Sequence, residues 1–164
     1  MKAAALARTT LVLAPLLATA QNASAASAAG PGALALAALV APYSTSLSMD
    51  EKQLLMRLLS GDSAVSYPAG AKIVVKAESV VCRASNVDLT SRSCKLNFGV
   101  AVVDLTGRLA HELYATIGEV GVPADGAAGS VFESLSHLEC TIDPNVIAQK
   151  AGGGADCSFD LGGT

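Results

Sequence analysis

Residues 72–105 read KIVVKAESVVCRASNVDLTSRSCKLNFGVAVVDL, and they decide between a sheet and a helical bundle. Ile73, Val75, Ala77 and Val81 fall on one side of an extended chain, with Lys76 and Glu78 on the other. That period of two, rich in β-branched residues, predicts a half-buried strand over 72–82. Leu96, Phe98, Val100 and Val102 repeat the pattern over 94–105, with Lys95 and Asn97 turned away. Between the runs, CRASNVDLTSRSC is polar and has a cysteine at each end. Two alternating runs around such an interval predict a β-hairpin with a long loop.

The flanking segments change period. SMDEKQLLMRLLSG begins with Ser48 and Glu51 at the spacing of a capping box, where each side chain satisfies an amide of the other residue. Leu54, Leu55, Leu58 and Leu59 form one apolar stripe, and Gly61 stands where a helix over 49–60 would stop. TGRLAHELYATIGEVG repeats Leu109, Leu113, Ile117 and Val120 at intervals of three and four, capped by Thr106 or Asp104 and ended by Gly121. SVFESLSHLECTI (130–142) mixes signals: Leu138, Cys140 and Ile142 alternate and predict a strand over at least 136–142, while Ser130 and Glu133 suit a helix start and leave 130–136 open between strand and helix. Asp143-Pro144 opens a short helix, and ADCSFDL returns as a last strand. Strands and helices in this order predict an α+β domain over 48–164: a small antiparallel β-sheet of about four strands, with helices packed on one face.

The N-terminus has the three parts of an export signal. MKAAALAR is basic, TTLVLAPLLATA is apolar, and Ala23-Ser24-Ala25 is an A-x-A cleavage site, with Ala18-Thr19-Ala20 as an earlier one. The apolar run is broken by Pro15 and is shorter than the roughly 20 residues a membrane span needs. Residues 1–25 therefore read as a signal peptide, and the Ala/Ser/Gly/Pro-rich residues 26–47 as a flexible segment, in which the apolar patch ALALAALVA (33–41) packs as a short helix or stays mobile.

Export gives the cysteines their meaning. Cys82, Cys94, Cys140 and Cys157 are an even set behind a leader, which predicts two disulfides. Three pairings exist. Cys82–Cys94 and Cys140–Cys157 are favoured because each closes a strand-loop-strand unit, contributing roughly 3 kcal/mol by loop closure. Zinc is disfavoured, because eleven and sixteen residues lie within the proposed pairs and neither His111 nor His137 is at ligand spacing. No C-x-x-C supports redox chemistry.

Other chemistry finds little purchase. His111-Glu112 begins an H-E-x-x-H motif, but Ala115 stands where the second histidine belongs. Gly61-Asp62-Ser63 resembles the start of the G-D-S-L context of exported esterases, but no histidine follows His137 to complete an Asp-x-x-His. The glycine clusters lack the P-loop and dinucleotide patterns, so no cofactor is expected. A net charge of −3 gives no basic excess for nucleic acid. The remaining candidate is the bridged loop 83–93, where Arg83, Asn86, Asp88 and Arg92 would meet a partner.

CRASNVDLTSRSC, AHELYAT, GVPADGAAGS and AGGGADC resemble stretches of short, uncharacterised exported proteins of Gram-negative bacteria, over about 72–160. The resemblance implies a periplasmic or secreted bacterial protein and brings no activity, cofactor or site residue. The expectation is an exported, non-enzymatic domain that binds a protein or cell-envelope partner. A small hydrolase using Ser63 and a disulfide-looped protease inhibitor are the alternatives.

Overall fold

The computed structural model describes residues 24–62, 64–85, 91–127, 130–149 and 153–161. The signal-peptide reading, Ser63, Asn86 and Asp88 fall wholly or mainly outside them. The chain runs β1 (Ser24–Ala29), α1 (Pro31–Val40), α2 (Met49–Leu59), β2 (Ile73–Ser85), β3 (Arg92–Asn97), β4 (Val102–Thr106), α3 (Gly107–Glu119), β5 (Asp125–Ala127), β6 (Ser130–Ile142), α4 (Pro144–Ala148) and β7 (Ala155–Leu161). The strands form one antiparallel sheet in the order β1-β7-β6-β2-β3-β4, with β5 beside the start of β6. The α+β class stands. The sheet has seven strands rather than about four.

The additional strands have physical causes. The run 94–105 is two strands, because Phe98 N–H bonds to Ala101 O at 2.8 Å and closes a tight turn. Gly99 lies at φ 79°, and its N–H donates to Asn97 Oδ1 at 2.8 Å. Val100 therefore points into solvent, 88% exposed, rather than sharing a face with Leu96 and Phe98. Residues 130–142 are strand throughout. The stretch 26–47, read as flexible, holds most of β1 and all of α1. Pro31 starts that helix, and Ala33, Leu36, Ala37 and Val40 are fully buried. Its apolar circumference is what a buried helix requires.

The periodic helices form where expected. Ser48 Oγ accepts from Glu51 N–H at 3.2 Å, and Glu51 Oε2 accepts from Ser48 N–H at 2.8 Å. In α3, Ala110, Leu113 and Ile117 are buried against the sheet. Thr106 occupies the N-cap without a side-chain hydrogen bond.

The two central strands each change face midway. β2 buries Ile73, Val75 and Ala77, then Val80, Cys82 and Ala84, so Val81 lies opposite to the face expected for it. β6 buries Glu133 and Leu135, then Leu138, Cys140 and Ile142. Ala77 pairs Leu138 and Val80 pairs Leu135, so both strands switch at one level. There the register with β7 slips by one residue, and His137 adopts φ 51°. β3 covers β2 only along Ser79–Ala84. Below it, Ser44 Oγ donates to Lys76 O at 3.1 Å and Ser46 Oγ to Val74 O at 3.0 Å. Lys76 N–H returns a bond to Ser46 Oγ at 3.2 Å. Two serines thus stand in for a strand along that edge, and Ser44 is fully buried.

The switch is symmetric because the domain is built from two like halves, related by an approximate twofold between β2 and β6. Cys82 pairs Glu133 just as Cys140 pairs Val75. Cys94 of β3 corresponds to Cys157 of β7, in the like stretches CKLNFG (94–99) and CSFDLG (157–162). Leu105 of β4 pairs Cys94, and Ala28 of β1 pairs Cys157. Each edge strand then turns through a left-handed glycine, Gly107 at φ 65° or Gly30 at φ 77°, into a helix that crosses back over the sheet. Leu113 and Ile117 of α3 correspond to Leu36 and Val40 of α1, all fully buried.

Candidate functional site

The cysteines pair as Cys82–Cys94 and Cys140–Cys157. In both bridges the residues lie directly opposite each other on neighbouring strands. Both face the helices and are buried. Cys94 Sγ lies 3.4 Å from Ala110 O beneath α3, and Cys157 Sγ lies 3.4 Å from Ala33 O beneath α1. A sulfur sealed in this way is closed to the thiolate attack that exchange requires.

Beyond Cys82–Cys94 the hairpin continues for three pairs: Arg83 opposite Ser93, Ala84 opposite Arg92, and Ser85, whose N–H bonds to Ser91 O at 3.3 Å. Side chains alternate along a strand, so Arg83 and Arg92 project to opposite faces. Arg83 lies over the Phe132 ring, 5.7 Å from its centroid, on the face that no described helix covers. Val81, Ser93, Lys95 and Asp104 line a shallow groove with these two residues. Arg92 lies over the Tyr114 ring at 4.8 Å, on the helix side. The hairpin does not display its two described arginines together.

Arg92 belongs to a cluster that the sequence reading did not anticipate. Glu133 is 6% exposed and shares the helix-side face with Cys82. The Tyr114 hydroxyl and the Arg92 guanidinium both lie close enough to favour its charged form. Its Oε2 is buried with no hydrogen-bond partner among the described residues. Burial pushes the Glu133 carboxyl above its ordinary range, against the pull of Tyr114 and Arg92. The Tyr114 hydroxyl is also raised, by burial first and then by the nearby carboxylate. Gly118 of α3 lies against this group: a Cβ there would make an ordinary van der Waals contact with Glu133 Oε1 at 3.4 Å. Alternation counted back from Ile142 turns Glu133 outward, and the irregularity at His137 brings it in. The available signal was the cysteine: the residue seven before Cys82 is Val75, and seven before Cys140 is Glu133.

The histidines lie on different layers. His111 is exposed on α3. His137 Nδ1 meets Asp160 Oδ2 at 2.9 Å on the open face, with the imidazole side chain 79% exposed. Ser46 lines the same depression as His137, but its hydroxyl is committed to the edge of β2. Among the described residues no three His, Cys, Asp or Glu side chains gather as a metal site. No described helix is long and apolar enough to cross a membrane. Comparison with protein-family models, with curated proteins and with solved structures finds no match to this chain.

Proposed function

We propose that the chain is an exported domain, periplasmic or secreted, that works without catalysis by presenting the β2–β3 hairpin to a protein or cell-envelope partner. The observation that carries this reading is the pair of buried cross-strand bridges. Such bridges persist in oxidising compartments, and their burial suits structural staples rather than exchanging thiols. The leader-like N-terminus supports export. A cut after Ala20 leaves β1 whole, whereas a cut after Ala25 removes the Ser24–Leu161 and Ala25–Asp160 pairs, so we place it after Ala20. Expression with the native leader, followed by fractionation and intact mass, tests both points. A mature chain that begins at Ala26 would move the cut.

The hairpin is the presenting element because its bridge fixes the base of the loop. A pre-ordered loop loses less entropy on binding. Arg83, beside Phe132 on the uncovered face, is the contact residue; Arg92, over Tyr114, supports the loop from within. Capture from an envelope extract by the wild-type domain and by Arg83→Ala tests this. Equal capture removes Arg83 from the account. Inhibition of a secreted protease that Arg83→Ala loses would make the partner a protease. Fluorophosphonate labelling abolished by Ser63→Ala would replace the reading with a hydrolase.

A further inference from the structure

We propose that Glu133, Tyr114 and Arg92 form a proton-operated latch between α3 and the loop end of the β2–β3 hairpin, closed when Glu133 carries its proton and loosened when it ionises. The cluster joins three elements: Glu133 on β6, Arg92 at the first residue of β3, and Tyr114 on α3. The corresponding positions of the other half are Val75, Ala155 and Ala37, all buried and apolar. The site therefore does not need a carboxyl for packing.

The groups around Glu133 explain how the latch works. β3 supplies Arg92, and α3 supplies Tyr114 and Gly118, which lies against the carboxyl. β2 supplies Cys82 and Ala84, and neither titrates in the bridged protein. A neutral carboxyl is at ease beneath α3. An ionised one needs donors that the closed site does not supply, because Oε2 has none among the described residues. The nearby guanidinium sits over the Tyr114 ring. Recruiting it, or admitting water, disturbs the contact between α3 and the residue from which the loop departs. Burial raises the Glu133 carboxyl, which supports the protonated form in the closed state.

The sign follows from linkage. A carboxyl raised on folding gives stability that is complete below its unfolded value and is lost as pH rises through its folded value. Asp62 and Asp143 are lowered in the fold and act in the opposite sense. The test is therefore a difference between variants of the full chain, measured by urea unfolding from pH 3.5 to 8. Wild type is expected to lose up to about tenfold in its folding constant per pH unit relative to Glu133→Gln across the Glu133 titration. Glu133→Gln is expected to be the more stable protein at pH 7. Amide exchange near Arg92 and in α3 should quicken over that window in wild type only, after correction for intrinsic exchange. Arg92→Gln should move the window to higher pH, because the carboxylate loses its cation. Parallel pH profiles for wild type and Glu133→Gln, or a less stable Glu133→Gln at pH 7, would overturn the latch.

Discussion

Under α1 the sheet carries Val75 and Ala155 beneath Ala37; at the same places under α3 it carries Glu133 and Arg92 beneath Tyr114. The frames around these positions are alike in bridge, glycine turn and helix. What differs is the lining. An apolar set closes one half as a packed core, while the other spends a buried carboxyl, a phenol and a guanidinium where alanine and valine would suffice. The comparison separates what the architecture needs from what it tolerates, and it locates the tolerated part at the hairpin loop.

The comparison breaks most sharply if Val75→Glu is harmless. That change puts a carboxyl into the half that lacks the tyrosine and arginine, at a fully buried position. It should cost about 3–5 kcal/mol at pH 7 and less at pH 4, read by urea unfolding. Replacing both cysteines of one bridge by alanine should cost about 2–5 kcal/mol. Corresponding places in the frame predict similar losses for the Cys82/Cys94 and Cys140/Cys157 double variants, and thermal midpoints under non-reducing conditions compare them directly. Leu36→Ala and Leu113→Ala, at matching turns of α1 and α3, should each cost about 2–5 kcal/mol and agree within about 1 kcal/mol. A large disparity would show that the two helices are seated differently.

Smaller effects sharpen the picture. Gly99→Ala forces an L residue to φ 79° and brings Cβ to 2.6 Å from Glu78 Oε1, so it should lose about 1 kcal/mol in chemical unfolding. The Glu78 side chain can swing away, which limits the loss. Asp104→Ala removes an exposed partner 4.0 Å from Lys95 and should change stability by less than about 0.5 kcal/mol.

The features that were legible in the sequence are the local ones. The Ser48–Glu51 box, the stripe of α3 and the alternation on either side of CRASNVDLTSRSC each depend on neighbours within a turn or a strand pair. The α1 segment was half legible, as an apolar patch that packs as a short helix or stays mobile, because alanine-rich composition looks alike in a linker and in a buried helix; only the sheet beneath it decides. The turn at Gly99 was hidden inside an unbroken apolar alternation. Glu133 was hidden by the change of face at His137, which reverses inside and outside for every residue before it. Of the candidate loop, the polar character and bridged base were readable. The separation of Arg83 from Arg92 follows from a register that the bridge alone does not specify.

The Ser24–Leu161 pair has a further consequence. Neighbours in an antiparallel ladder lie about 5 Å apart, so a short linker can join β7 to β1. Opening the chain instead in the turn after α3, near Gly121, would then give the order β5-β6-α4-β7-β1-α1-α2-β2-β3-β4-α3. In that circular permutant the two halves follow one another as a tandem repeat of three strands and a helix, with β5, α4 and α2 as insertions. Each repeat would hold its own disulfide, so the halves could be exchanged or duplicated as cassettes.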